Sequence, residues 1–261
     1  MNRIEAKFRE LQKKNQKALI AFITAGYPSL SVTERLVLQF ARNGVDIVEL
    51  GVPFSDPMAD GPLIQEASQF ALKRGVNLAR ILKTVKNIRR HTQIPICLMT
   101  YYNPIFSFGE ERFARVASSC GVDGVIIPDL PPEEASTLEK LARRYRLDLI
   151  NFISPTTDTR RIKRLARLAR GFLYYVSLTG VTGVRQKLSV GLIQRLRQIK
   201  RYTSKPVCVG FGISSYLQVK ELWRIADGVI VGSAIVKKIK ENIKSPDLIK
   251  RVVNFVVSLK G

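Results

Sequence analysis

Hydrophobic residues in this chain gather in short, nearly continuous runs rather than in strict alternation. Eight runs have strand length: Ala18 to Thr24, Asp46 to Leu50, Ile96 to Tyr101, Gly124 to Pro128, Leu149 to Ile153, Phe172 to Ser177, Val207 to Phe211 and Gly228 to Val231. Val, Ile and Leu on both faces of a run are the pattern of parallel strands, which are covered on each side. Between the runs, apolar residues recur at three- and four-residue spacing, as on amphipathic helices. That spacing predicts helices over Ser31 to Arg42, Leu63 to His91 with a break at Gly75, Glu110 to Ser119, Pro132 to Tyr145, Thr159 to Ala169, Val190 to Tyr202, Tyr216 to Ile225 and Pro246 to Ser258. A short helix follows Gly232-Ser233-Ala234, and Glu5 to Asn15 forms an extra one ahead of the first strand. Eight strand-helix units predict an α/β protein, a single-domain (β/α)8 TIM barrel over residues 1–261 with an extra N-terminal helix at the barrel's N-terminal face. A doubly wound open sheet gives the same alternation and is the competing architecture; the count of eight favours the barrel. No Gly/Ser/Pro linker or shift in composition divides the chain.

Composition agrees with a folded chain: 46% hydrophobic, with 12 Phe, 8 Tyr and 17 Gly among 261 residues, enough apolar material for a sizeable core. Cys97, Cys120 and Cys208 show no CxxC spacing and fit buried free thiols in a reducing compartment. The opening MNRIEAKFRELQKKNQK is charged and lacks an apolar segment of signal-peptide type, and no 18-residue apolar run occurs, so a soluble, unsecreted protein is expected. The formal net charge is +22, which raises nucleic-acid binding as a function. In Thr159 to Arg170, however, Arg160, Arg161, Lys163, Arg164, Arg167 and Arg170 surround Ile162, Leu165, Ala166 and Ala169 at helical spacing. This is a solvated helix face, and the remaining excess is spread similarly without zinc-finger, RRM or KH signatures. No nucleic-acid partner and no membrane association are expected.

In a barrel, chemistry sits at the C-terminal strand ends and the loops that follow. After the second strand comes ELGVPFSDPMADGP, residues 49–62, with three prolines and two glycines. Glu49 is the only charge between Ile47 and Ser55; a carboxyl among apolar neighbours loses solvation and rises toward the range of a general acid. A strand-end glutamate paired with a nearby Lys or Arg is an equally open reading. Asp56 and Asp60 beside Pro and Gly are also natural turn formers. Across the barrel, Thr179-Gly180-Val181-Thr182-Gly183, Gly210-Phe211-Gly212-Ile213-Ser214 and Gly232-Ser233-Ala234 are glycine-rich. Backbone N–H groups of such loops and a helix N-terminus grip phosphate in TIM barrels, so a phosphorylated small-molecule substrate is predicted. The single histidine, His91, ends a basic helical stretch. A His-based triad and a multi-His metal site are therefore excluded. No strand run ends in lysine, which disfavours a Schiff-base aldolase. Acid/base work by carboxylates remains.

The segments ELGVPFSDPMADGP at 49–62, YYNP at 101–104, IPDLP at 127–131, SLTGVTG at 177–183, VGFGIS at 209–214 and VGSAIV at 231–236 together resemble the tryptophan synthase alpha subunit family, in order and over essentially the whole chain. The resemblance implies retro-aldol cleavage of indole-3-glycerol phosphate to indole and glyceraldehyde 3-phosphate, the penultimate step of tryptophan biosynthesis. It makes Glu49 the acid on indole C3 and Asp60 the group that holds and deprotonates the indole N–H. It implies that Phe22, Tyr101, Ile126, Phe152 and Tyr174 enclose the indole, that Thr182 closes over it, and that Gly183, Gly212, Gly232 and Ser233 take the phosphate. No cofactor is implied on this chain; pyridoxal phosphate belongs to a partner beta subunit of an alpha2beta2 complex, to which indole passes. Pro53, Asp56, Asn103, Phe106 and Pro131 are the implied interface residues, and the compartment is the cytoplasm, or the plastid stroma for an algal source. Met58, Leu63 and Leu178 depart from residues frequent in the family. A stand-alone lyase that releases indole, and a non-enzymatic activator of a beta subunit, are the other readings; intact Glu49 and Asp60 argue against the second.

Overall fold

A computed structural model of the chain describes residues 2–176, 190–210 and 212–261. Eight parallel strands close into a barrel in sequence order: β1 Ala18–Thr24, β2 Ile47–Gly51, β3 Ile96–Met99, β4 Gly124–Ile126, β5 Asp148–Ile153, β6 Leu173–Val176, β7 Val207–Gly210 and β8 Gly228–Val231. Alternation of side chains along each strand sorts the apolar runs into two cores. Leu19, Ala21 and Ile23 of β1 pack outward with the helices, whereas Ala18 and Ile20 join Ile47, Cys97, Ile126, Ile150, Cys208 and Ile230 inside the barrel. This double burial is why the runs are continuous rather than alternating.

The helices are α1 Arg3–Lys13, α2 Leu30–Arg42, α3 Pro62–Lys73, α4 Leu78–Ile88, α5 Tyr102–Phe108, α6 Glu110–Cys120, α7 Ser136–Arg144, α8 Thr159–Leu168, α9 Val190–Lys200, α10 Tyr216–Trp223, α11 Ser233–Glu241 and α12 Leu248–Ser258. The expected break at Gly75 is present: Gly75 has φ +71, which a residue without Cβ adopts freely, and Asn77 then caps α4 by accepting from Arg80 N–H. On α8, Ile162, Leu165 and Ala166 are buried, and Arg161 and Arg164 reach out to Glu133. The basic pattern is thus a helix face. Helix α5, which begins within YYNP, falls where no helix was predicted. It has 7 residues and buries only Ile105, too short to show a period in sequence. Several strands also stop earlier than their apolar runs, β3 at Met99 and β4 at Ile126, because the chain turns out of the ladder there to build loops.

Helix α1 closes the N-terminal mouth. Ile4, Phe8 and Leu11 enter the interior cluster, and Phe8 lies 5.9 Å from Phe172, ring centre to ring centre. Gly124 makes room, since a Cβ there would stand 2.9 Å from the Ile4 side chain. At the same end, aspartates at strand starts tie neighbouring strands. Asp46 accepts from Leu19 N–H at 2.8 Å, Asp123 from Ile96 N–H at 2.8 Å and Asp227 from Val207 N–H at 3.0 Å. Each also meets cations: Lys260 at Asp46, Arg3 and Arg89 at Asp123, Lys17 and Lys200 at Asp227.

Candidate active site

The opposite, C-terminal mouth carries Glu49. In register it lies between Phe22 of β1 and Cys97 of β3, on the inward face. Its side chain is completely buried, and neither carboxyl oxygen has a hydrogen-bond partner among the described residues. The ion pair left open by the sequence is not formed with any described Lys or Arg. Burial, and secondarily the charge of Asp60, pushes the Glu49 carboxyl up to about 8, because an ion stripped of water and partners is disfavoured.

Asp60 sits on the loop between β2 and α3, and local bonds fix that loop. Val52 N–H donates to Met99 O at 2.8 Å and Asp60 N–H to Pro57 O at 3.2 Å; the Gln65 side chain donates to Asp60 O at 2.9 Å. The Tyr101 hydroxyl donates to the Asp60 carboxylate at 3.2 Å and accepts from Ala59 N–H at 2.9 Å. Phe54 stacks on the Tyr101 ring at 5.2 Å. Burial raises the Asp60 carboxyl to about 6, with the Tyr101 hydrogen bond pulling the other way. At neutral pH the pair therefore holds one protonated and one mostly ionised carboxyl, the division of labour of an acid and a base. The 41-residue separation of Tyr101 and Asp60 left this clamp invisible in sequence; Tyr101 was expected only as an aromatic wall.

The residues expected around the indole lie on barrel strands or just after one. The Phe22 ring lies over Gly51 and Gly232, where an added Cβ would stand 2.6 Å and 3.2 Å from it. Phe152 and Tyr174 meet at 4.9 Å between ring centres. The Tyr174 hydroxyl lies against Gly210, with only 2.5 Å to a Cβ built there. Ile126, by contrast, is wholly buried within the interior packing. At the proposed phosphate end, Gly212 is exposed with φ +67. Helix α11 starts at Ser233 after Gly232, with no side chain capping it. Its first backbone bond is Ile235 N–H to Gly232 O at 2.8 Å, which leaves earlier N–H groups directed off the helix start. Thr182 and Gly183 lie outside the described residues.

Of the interface residues, Asp56 and Asn103 are exposed and Pro131 partly so, while Phe106 is 68% exposed. Pro53, by contrast, is buried. Met58, which sequence reasoning did not assign to the interface, is 87% exposed. His91 is exposed, the three cysteines are buried free thiols, and no metal-binding cluster occurs among the described residues.

Comparison with known proteins is uniform. The family model for the tryptophan synthase alpha chain matches residues 8–259. The chain is 49% identical to the tryptophan synthase alpha chain of Geotalea uraniireducens over 261 residues, covering 100% of this chain and 97% of the relative. It superposes on tryptophan synthase subunit alpha of Legionella pneumophila with a TM-score of 0.93 at 36% identity, covering 100% and 97% of the two chains. A chain from a structure titled for mutual activation of the tryptophan synthase a2b2 complex of Pyrococcus furiosus superposes with a TM-score of 0.87 at 39% identity, covering 93% and 97%. Continuous similarity at this level, on a closed eight-stranded barrel with Glu49 and Asp60 at its C-terminal mouth, places this chain in the tryptophan synthase alpha chain family, the lyases of indole-3-glycerol phosphate.

Proposed function

We propose that Glu49 and Asp60 carry out the lyase reaction between them, and that the carrying observation is a fully buried Glu49 carboxyl with no partner, raised to about 8, beside a carboxyl at about 6. Indole leaves poorly until C3 is protonated. Protonated Glu49 delivers a proton to C3 while Asp60 takes the proton from indole nitrogen. The C3–C1′ bond then breaks, its electron pair restores the indole ring, and nitrogen recovers its proton from Asp60. The C1′ hydroxyl becomes the aldehyde of glyceraldehyde 3-phosphate, and its proton returns to the Glu49 carboxylate. Protons and electrons balance, so the step needs no cofactor on this chain; pyridoxal phosphate is expected only on the partner. Phe22, Tyr101, Phe152 and Tyr174 flank the indole, with Ile126 as the floor beneath, and Thr182 closes from the segment after β6. Gly183, Gly212, Gly232 and Ser233 take the phosphate.

The partner in this reading is a tryptophan synthase beta subunit in an alpha2beta2 complex that receives indole. Exposed Met58 on the loop after β2 and exposed Phe106 on α5 after β3 support it, since large apolar side chains on a surface mark contact sites. Asp56, Asn103 and Pro131 complete the face. The compartment is the cytoplasm; no helix among the described residues is long and apolar enough to cross a membrane. Indole release from indole-3-glycerol phosphate, measured with and without a cognate beta subunit, tests the proposal. Slow release by the chain alone and acceleration by the partner are expected; equal rates would favour a stand-alone lyase.

A further inference from the structure

Four buried side-chain atoms lack a hydrogen-bond partner among the described residues, and three belong to one place: both carboxyl oxygens of Glu49 and the hydroxyl oxygen of Thr24. Thr24 is the last residue of β1, 1% exposed, and pairs in register with Gly51. Alternation along β1 puts it on the inward face, one step above Phe22 toward the C-terminal mouth. A buried hydroxyl left without a bond costs free energy that the isosteric valine would not. Nothing in the ladder requires an oxygen there, because the backbone carbonyl of Thr24 already receives Tyr27 N–H.

The order of strands says what the hydroxyl faces. In the closed barrel β1 stands between β2, which carries the acid, and β8, which leads into α11. With indole C3 at Glu49 and the phosphate at Gly232 and Ser233, the two hydroxyl-bearing carbons of the substrate cross the end of β1. Thr24 is the inward residue at that crossing, one step beyond the Phe22 ring that fills the space over Gly51. We infer that the Thr24 hydroxyl positions the substrate by hydrogen-bonding a hydroxyl of its glycerol chain. The inference rests on the proposed placement of acid and phosphate sites.

The test compares two substitutions and two ligands: indole-3-glycerol phosphate, and indole-3-propyl phosphate, which lacks both glycerol hydroxyls. Thr24→Val is expected to lower kcat/KM for the substrate by about tenfold, the usual scale of one lost hydrogen bond that leaves its partner unmet. It should bind the propyl phosphate as wild type does and melt no lower than wild type. Thr24→Ser, which keeps the hydroxyl, should restore kcat/KM. Unchanged kcat/KM in Thr24→Val overturns the inference, and so does equal weakening of both ligands, which marks a structural role. Failure of the wild-type chain to cleave the substrate at all strikes instead at the underlying assignment of the site.

Discussion

Both ends of this barrel bury carboxylates, but they give them different neighbours. At the N-terminal mouth, Asp46, Asp123 and Asp227 each accept a strand N–H and meet one or two cations. At half-buried Asp227, Lys200, Val207 N–H and Lys17 outweigh burial and leave the carboxyl below the ordinary range, whereas at the more deeply buried Asp123 burial outweighs Arg89, Ile96 N–H and Arg3 and raises it. Asp148 is intermediate, buried and answered mainly by the field of Arg170, and it reaches about 6. At the C-terminal mouth, Glu49 has neither donor nor cation among the described residues, and burial holds its carboxyl up at about 8. A buried carboxylate with partners holds strands together; one without them holds a proton ready. Burial by itself distinguishes nothing.

The largest expected effect breaks the chemical end. Glu49→Gln keeps shape but cannot transfer a proton, so indole release should fall about 100 to 10,000-fold, while a non-reacting phosphate analogue still binds. More than about a tenth of wild-type turnover would remove Glu49 as the acid. Asp60→Asn should cut turnover with similar severity in the same assay.

Next comes the structural end. Arg89 and Asp123 form a pair at 2.6 Å with side chains 9% and 3% exposed. Arg89→Met leaves buried Asp123 with only the more exposed Arg3 as a cation and should cost up to about 3 kcal/mol in denaturant unfolding, with turnover of the folded enzyme unchanged. A turnover loss matching that of Glu49→Gln would erase the contrast between the two ends.

The contrast also predicts a pH signature. Activity should fall below about 6 as Asp60 gains a proton and above about 8 as Glu49 loses one. Stability moves with Glu49 too. Between its ordinary 4.5 and about 8 the unfolded chain has released a proton that the folded chain keeps, so stability drains as pH rises through that window. Glu49→Gln lacks this loss. Its stability relative to wild type should therefore grow from pH 4.5 to pH 8 by on the order of a few kcal/mol and stay flat outside; a constant difference in urea melts would contradict an elevated Glu49.

Smaller effects sharpen the comparison. Tyr101→Phe removes a donor from Asp60 and should move the acid limb of the activity profile upward, with about tenfold lower turnover; an unmoved limb would show that Tyr101 serves only as a wall. Asp56→Asn, on the exposed part of the same loop, should leave the isolated reaction unaltered and weaken acceleration by the beta subunit.

Much of this was legible in advance. The eight strands came from continuous Val/Ile/Leu runs because double burial leaves no polar face to interrupt them, and β1 and β8 end where their runs end. Glu49 stood out as the one carboxyl in an otherwise apolar stretch, whereas local pattern did not separate Asp60 from Asp56 and only the family resemblance singled it out. Helix α5 was not legible, since 7 residues with one buried side chain carry no period. The burial of Pro53 and the exposure of Met58 were not legible either, because loop residues take their solvent contact from the fold rather than from local pattern.

Sequence by itself determined the elements, their order, the closed α/β architecture those imply, and which carboxyls could do chemistry, because periodicity and residue type are local properties of the chain. Tertiary structure decided which carboxyl is paired and which is bare. It also joined Tyr101 to Asp60 across 41 residues and set Thr24 at the end of β1, between β2 with Glu49 and β8 leading into α11. The physical reason is that partners and solvation, which fix a group's proton affinity, come from neighbours that only the closing of the barrel brings within reach.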